Sequence, residues 1–155
     1  MVQFIKNLGE LCERYDHFII DIFGVIHDGI KPFPETLRTL KALKLSGKQV
    51  CLLSNSPRRA HNAAHQMEMM GISRASFDHI VTSGESTHDA LANPSDDFHA
   101  SCGTQCWFIG KYVVEEILDD LDFELLNGPE NASFILNAIP GTSPPEVIDF
   151  KHKLK

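Results

Sequence analysis

The stretch of residues 18–29 constrains the fold more than any other part of the sequence. Three large apolar residues lead directly into Asp21, and Gly24 follows soon after. A continuous apolar run is typical of a strand buried on both faces, as in a parallel sheet covered by helices. A carboxylate at the end of such a strand is tolerated at the carboxyl edge of the sheet, where α/β proteins form their ligand crevice. Asp21 is therefore a candidate functional residue. The alternative is an aspartate that caps the following turn.

Strand-like runs then alternate with helical patterns. Apolar runs at 49–54 and 77–82 again end in polar residues, Ser54 and Thr82. The helical spacing of apolar residues, with Pro or Gly near several ends, predicts helices at 4–16, 34–46, 57–70 and 85–91. This order is typical of a doubly wound parallel α/β sheet. Because the crossovers are right-handed, the strand ends share one edge, and we expect Asp21, Ser54 and Thr82 to face one ligand.

The pattern restarts after a turn-rich break at 93–97. The apolar runs and helical spacing beyond it predict two strands and two helices, at 105–110, 134–139, 113–121 and 144–155. We therefore predict two segments, one at 1–94 and the other at 98–155.

Composition and charge limit the classes of partner. The chain has 155 residues, of which 43% are hydrophobic, as in an ordinary globular protein. No apolar run approaches the roughly 18–20 residues needed to cross a membrane, and the N-terminus lacks the apolar core of a secretory signal. We therefore expect a cytoplasmic protein. The formal net charge of −7 argues against a general nucleic-acid or membrane surface, because both need clustered cations.

Three motifs fall in order at the predicted strand ends: the stretch that begins at Asp21, residues 52–58 and residues 82–87. Together they resemble the haloacid dehalogenase (HAD) superfamily. The closest branch is the NagD-like, or 4-nitrophenylphosphatase-like, phosphatases, which carry an inserted α/β cap of the C2 type. The resemblance implies that 1–94 is the first half of a Rossmann-like HAD core and that 98–155 is the first part of that cap.

The resemblance also implies a chemistry: Mg²⁺-dependent hydrolysis of a small phosphorylated metabolite. Asp21 matches the nucleophile that forms an aspartyl-phosphate and also binds the Mg²⁺. The backbone carbonyl of Phe23 matches a second metal ligand. Ser54 and Asn55 match the phosphate-binding motif. Arg58 stands beside them at the start of a predicted helix, where it either contacts the phosphate or is a solvated arginine.

The sequence departs from the family pattern in two ways. Phe23 occupies the position of the family's general acid, and phenylalanine cannot transfer a proton. His27 and Asp28, in the loop that follows, are the candidates to substitute for it. Two further motifs of the family, one that supplies a lysine and one that supplies acidic metal ligands, are absent from the 155 residues. We therefore expect a truncated or partial form whose first strand lies at a sheet edge, with a homo-oligomer as one outcome. The alternative to a phosphatase is a catalytically silent module of the same fold that binds phosphate or a partner.

Overall fold

The structure, a computed structural model, describes residues 4–110 and 116–138. It divides into two compact units. The first unit comprises Met1–Asn55 and Ala60–Thr82, and the second comprises Ser56–Arg59 and Ser83–Lys155. The predicted division between core and cap, at 1–94 and 98–155, stays a prediction. The helix predicted at 144–155 lies outside the described residues.

A parallel three-stranded sheet forms the centre of the first unit. Its strands are β1 (His17–Asp21), β2 (Gln49–Ser54) and β3 (His79–Thr82), in the order β1-β2-β3. The helices are α1 (Gly9–Cys12), α2 (Thr36–Leu45) and α3 (Ala60–Met69), with a 3₁₀ turn at Arg74–Ser76. This parallel α/β arrangement confirms the predicted fold class. Within the described residues β1 pairs with β2 alone, so it lies at an edge of the sheet, as predicted.

The core of the first unit is built from the apolar faces of its strands and helices. Its most deeply buried side chains come from β2, α2, α3 and the turn that follows α3: Leu40, Leu43, Val50, Leu52, Met67 and Ile72. A polar contact lies beside this core. The Asp78 carboxylate accepts hydrogen bonds from Lys44 Nζ at 2.6 Å and from the Val50 N–H at 2.7 Å. These bonds join α2, the start of β2 and the residue before β3.

Two predicted helices of the first unit are shorter than expected. The helix predicted at 4–16 is only the four residues of α1, and the Phe4 side chain is 92% exposed. So short a helix depends on packing for its stability, and only Leu8, Leu11 and Cys12 of this region pack against the core. The helix predicted at 57–70 begins at Ala60, because the Ser56 hydroxyl accepts the Arg58 N–H in a turn before it.

The second unit contains another parallel sheet. Its helices are α4 (Ser83–Ala92) and α5 (Asp97–Ala100). Its strands are β4 (Gln105–Ile109), β5 (Glu124–Leu126) and β6 (Phe134–Asn137), in the order β5-β4-β6. The central strand β4 buries Cys106 beside Ile117 and Leu118. In the described part of the chain, no helix combines the length and the hydropathy that a membrane span requires.

The sequence predicted part of the second unit correctly. The structure confirms the strand predicted at 105–110 as β4 and, over its described residues, the strand predicted at 134–139 as β6; residue 139 lies outside the described residues. We did not predict α5 or β5. The helix predicted at 113–121 lies partly outside the described residues. Its described part, from residue 116, begins with a short helical turn that places Ile117 and Leu118 in the core, and β5 follows at Glu124–Leu126.

Candidate active site

Asp21 and Ser54 lie at the same edge of the first sheet. Asp21 is the last residue of β1 and stands opposite Leu53, the neighbour of Ser54. Ser54 is the last residue of β2 and pairs in register with Thr82, the last residue of β3. Because the three strands are parallel, these residues occupy adjacent carboxyl ends. The Asp21 side chain is exposed, whereas Ser54 and Thr82 are buried. The edge therefore offers a carboxylate to solvent beside a buried hydroxyl.

A compact loop follows Asp21. Gly24 adopts a φ of +81°, which glycine tolerates best, and its N–H donates to the His27 carbonyl at 2.9 Å. The Ile26 N–H donates to the Ile22 carbonyl at 2.8 Å. The ring of Phe23 remains 64% exposed and meets the His27 ring edge-on, with 6.3 Å between centroids. The loop therefore presents an aromatic ring two residues after the candidate nucleophile.

His27 and Asp28 hold the loop together. The buried His27 accepts a hydrogen bond from the Gly29 N–H through Nδ1, at 2.9 Å, and burial lowers the pKa of its imidazole. Asp28 Oδ1 accepts the N–H groups of Lys31 and Ile30, each at 2.9 Å, and these bonds lower the pKa of the Asp28 carboxyl. These two bonds give Asp28 a turn-capping role in the loop.

In the second unit, the segment that follows Asn55 packs against α4. The Gly84 N–H donates to the Ser56 carbonyl at 3.1 Å. A Cβ atom on Gly84 would lie 2.0 Å from the Pro57 carbonyl oxygen, so only glycine fits this contact. The backbone of residues 56–59 is therefore held in place by close packing against the first turn of α4.

Arg59 forms several polar contacts within the second unit. Its Nε and Nη2 donate to the two Glu85 carboxylate oxygens, each at 2.9 Å, and its backbone N–H donates to Glu116 Oε1 at 2.9 Å. Arg59 Nη1 also lies 2.8 Å from His88 Nδ1. The hydrogen bond to Glu85 is the main cause of the raised pKa of the Arg59 guanidinium. A planar guanidinium that binds a carboxylate through two bonds is well suited to fixing a turn.

Sequence reasoning singled out Arg58 and missed the structural role of Arg59. The sequence feature that bears on Arg59 is the Gly84-Glu85 pair at the start of the helix after β3. Sequence alone did not show that this helix start would contact residues 56–59. Arg58 is half-buried and belongs to the same segment. Its predicted phosphate contact stays a prediction, as do the roles of Asp21, Ser54, Asn55 and the Phe23 carbonyl.

The oxygen donors at the end of β1 fit part of a Mg²⁺ site. In residues 4–110 and 116–138, no three His, Cys, Asp or Glu side chains cluster closely enough to bind a metal ion. The predicted ligands include only one such side chain, Asp21, together with the carbonyl of Phe23. Both donors are oxygen atoms, which Mg²⁺ prefers, and Mg²⁺ sites with one or two carboxylates are completed by substrate phosphate and water. Asp21 and Phe23 therefore offer the type of ligand atom that Mg²⁺ prefers, and together they would fill two of its coordination positions.

Comparison with known families decides the lineage. The family model for haloacid dehalogenase-like hydrolases matches residues 18–124, which includes both candidate strand ends. The chain belongs to this family. The predicted resemblance is thereby confirmed at the level of the family.

Individual relatives agree with this assignment. The chain is 25% identical over 130 residues to a 4-nitrophenylphosphatase of Schizosaccharomyces pombe, and the match covers 81% of this chain but 41% of that protein. A HAD-like hydrolase from Brucella suis 1330 is similar in structure, with a TM-score of 0.78 and 28% identity over 96% of this chain and 54% of the other. NagD from E. coli K-12 shares the fold, with a TM-score of 0.59 and 23% identity over 89% and 50%. The chain thus spans about half of these proteins or less, and the structures share its fold.

Proposed function

We propose that the chain carries the nucleophile and phosphate-binding half of a cytoplasmic phosphatase site, which hydrolyses small phosphomonoesters with Mg²⁺ through an aspartyl-phosphate. One observation carries the proposal: the Asp21 carboxylate and the Ser54 hydroxyl stand at adjacent carboxyl ends of one parallel sheet. A phosphoryl group between them would meet a nucleophile from one strand and a hydrogen-bond donor from the next. The relatives named as phosphatases favour this activity over the silent-module alternative.

The first chemical step is attack on phosphorus. One Asp21 oxygen forms a bond to phosphorus while the bond from phosphorus to the leaving oxygen breaks, so the phosphoryl group moves to the carboxylate. The Ser54 hydroxyl and Asn55 donate hydrogen bonds to the phosphoryl oxygens, and Arg58 adds positive charge. A water molecule then attacks the phosphorus of the acyl phosphate, which releases orthophosphate and restores Asp21. Exposure of Asp21 leaves it accessible to substrate.

The proposed metal site uses the same strand end. The Asp21 carboxylate and the Phe23 carbonyl would bind Mg²⁺, which when bound neutralises the charge of the phosphate. The two proposed ligands stand two residues apart in sequence, and the loop that follows them is closed by the bond from the Gly24 N–H to the His27 carbonyl. Binding through so few protein ligands is expected to be weak and to strengthen when phosphate is present.

The side chain of Phe23 directs the choice of leaving group. A residue at this position cannot protonate the departing oxygen, and general acid catalysis contributes about 10²–10⁴ in rate. Esters whose leaving group departs as a stable anion, such as aryl phosphates, need no such proton. We therefore propose faster turnover of aryl phosphates than of alkyl phosphates. The name of the Schizosaccharomyces pombe relative, 4-nitrophenylphosphatase, agrees with that preference.

The test is turnover of 4-nitrophenyl phosphate with and without Mg²⁺ by the wild type, Asp21→Asn and the matched variant Asp16→Asn. Asp16 is an exposed carboxylate just before the opposite end of β1. We expect Mg²⁺-dependent release of 4-nitrophenol that is lost in Asp21→Asn and retained in Asp16→Asn. Equal turnover by both variants would refute the role of Asp21. If the wild type binds orthophosphate without turnover, the silent module is the correct alternative.

A further inference from the structure

His88 of α4 lies between a hydrogen-bond donor and a hydrogen-bond acceptor. Its Nδ1 atom is 2.8 Å from Arg59 Nη1 and 2.9 Å from the Ile117 carbonyl oxygen. A ring nitrogen either carries a proton and donates or carries a lone pair and accepts, so Nδ1 can satisfy only one of these neighbours at a time. His88 therefore has two alternative contacts, and the position of one proton decides between them.

Two parts of the second unit converge with His88 on the Arg59 guanidinium and backbone. Glu85 and His88 stand three residues apart on α4, a spacing that places both side chains on one face of the helix. Glu85 accepts two hydrogen bonds from the guanidinium, and Glu116 accepts the Arg59 backbone N–H. The side chain and the backbone of one arginine therefore tie its segment to α4 and to the short helical turn that contains Glu116.

Acidic groups surround the contact between Arg59 and His88. The hydrogen bond from Arg59 to Glu85 raises the pKa of the guanidinium most, and the charges of Asp89 and Asp119 raise it further. In the described part of the chain, the charged and titratable groups around this contact come from α4 and from the turn at 116–118 and the residue after it: Glu85, Asp89, Glu116 and Asp119. With one guanidinium among these carboxylates, the cluster can take up a second positive charge at His88 without an excess of cations.

We propose that His88 is a positioning residue that makes the hold on residues 56–59 depend on pH. A neutral ring with its proton on Nε2 accepts a hydrogen bond from Arg59 Nη1. A protonated ring carries protons on both nitrogens, so Nδ1 donates to the Ile117 carbonyl instead. Arg59 then loses an acceptor and stands beside a second positive charge. Acid therefore loosens Arg59, and a neutral imidazole holds it.

The consequence for ligand binding rests on the proposed function. The segment that Arg59 ends continues the chain directly from Ser54 and Asn55, and it includes Arg58. While Arg59 is held, the segment keeps one backbone position, and less ordering has to accompany the binding of phosphate. We therefore expect the form with protonated His88 to bind phosphate more weakly than the neutral form.

The first measurement is a titration of the isotopically labelled wild type between about pH 5 and 8, the range in which imidazoles usually change charge. The ring nitrogen resonances of His88 report its proton, and the Nε–H resonance of Arg59 reports the guanidinium. We expect the two residues to shift with one common midpoint. An Arg59 resonance that stays constant while His88 titrates overturns the proposal. This result needs no variant, so it does not depend on whether a substituted chain folds.

The second measurement compares the affinity for orthophosphate with Mg²⁺ in the wild type, His88→Asn and the matched control His65→Asn, by calorimetry across the same pH range. Asparagine offers an oxygen acceptor to Arg59 but does not titrate. His65 is exposed on α3. The ionisation of phosphate itself is common to all three proteins, so differences between their pH profiles isolate the replaced histidine. Far-ultraviolet circular dichroism checks that each variant is folded.

Between about pH 8 and pH 5, the wild type and His65→Asn should lose about five- to tenfold more phosphate affinity than His88→Asn. Parallel profiles of the wild type and His88→Asn would overturn the link between His88 and ligand binding. If none of the three proteins binds orthophosphate, the proposed function fails. The common midpoint of His88 and Arg59 then still decides whether the histidine controls the arginine, so the two failures are distinguishable.

Discussion

Replacing Gly84 with alanine tests whether the segment of residues 56–59 is fixed by the first turn of α4. The added Cβ would lie 2.0 Å from the Pro57 carbonyl oxygen and 2.6 Å from that of Arg58, so the backbone must move to admit it. Overpacking of this kind costs about 1–3 kcal/mol. Loss of the hydrogen bond to Ser56 adds about 0.5–1.5 kcal/mol. Alanine recovers about 1 kcal/mol through its higher helix propensity. The expected net loss is therefore about 0.5–3.5 kcal/mol.

The assay is unfolding by urea, with the midpoint and slope compared between variants, and a thermal melt in parallel. A loss of this size corresponds to a fall in Tm of about 1–14 °C for a chain of this length. Gly9→Ala is the matched control, because its Cβ would meet only the side chain of the exposed Asn7. Its stability should stay the same or rise by up to about 1 kcal/mol. If Gly84→Ala unfolds at the same urea concentration as the wild type, residues 56–59 do not pack as described.

Three further predictions concern single side chains. Phe23→Asp supplies a proton donor and should raise turnover of an alkyl phosphate by up to about 10²–10⁴-fold, with a smaller gain for 4-nitrophenyl phosphate; equal gains on both would contradict the role of the leaving group. A double-mutant cycle with Arg59→Met and Glu85→Gln should give a coupling energy of about 1–2 kcal/mol in urea unfolding, because the pair is bidentate and mostly buried; independent effects would show that the contact does not persist in solution. Lys44 and the Val50 N–H lower the pKa of Asp78 in the folded protein. The stabilisation that ionised Asp78 gives to the fold is therefore complete above its unfolded pKa of about 3.9 and is lost as the pH falls through its folded pKa. Urea midpoints should therefore fall more steeply below about pH 4 in the wild type than in Asp78→Asn, and parallel curves would refute this.

The strands were the most predictable part of the fold. Continuous apolar runs ended in polar residues at Asp21, Ser54 and Thr82, and the structure places strand ends at each of them. This signal is local, because a run of adjacent apolar residues fits few elements other than a strand that is buried between helices. The parallel order followed from the intervening helices. The three motifs that resemble the family begin or lie at these strand ends, so the sequence indicated the family as well as the fold.

Other elements depended on contacts that a local pattern does not contain. Strand β5 has only three residues, too few for a pattern of apolar residues to indicate a strand. Its place in the sheet follows from pairing with β4, about twenty residues earlier. Likewise, Arg58 and Arg59 are indistinguishable in sequence. Only the approach of α4 gives Arg59 its carboxylate partner in Glu85.

The most direct test of the account is a titration of orthophosphate into the isotopically labelled chain in Mg²⁺ buffer, monitored by the backbone amide resonances. The account predicts saturable shifts concentrated at the carboxyl ends of β1 and β2, around Asp21 and at Ser54 and Asn55. These shifts should be strongly reduced in Ser54→Ala and retained in Ser73→Ala, which removes a hydroxyl that caps the 3₁₀ turn instead. Shifts at another surface, or equal binding by both variants, would contradict the claim that these two strand ends bind one phosphoryl group.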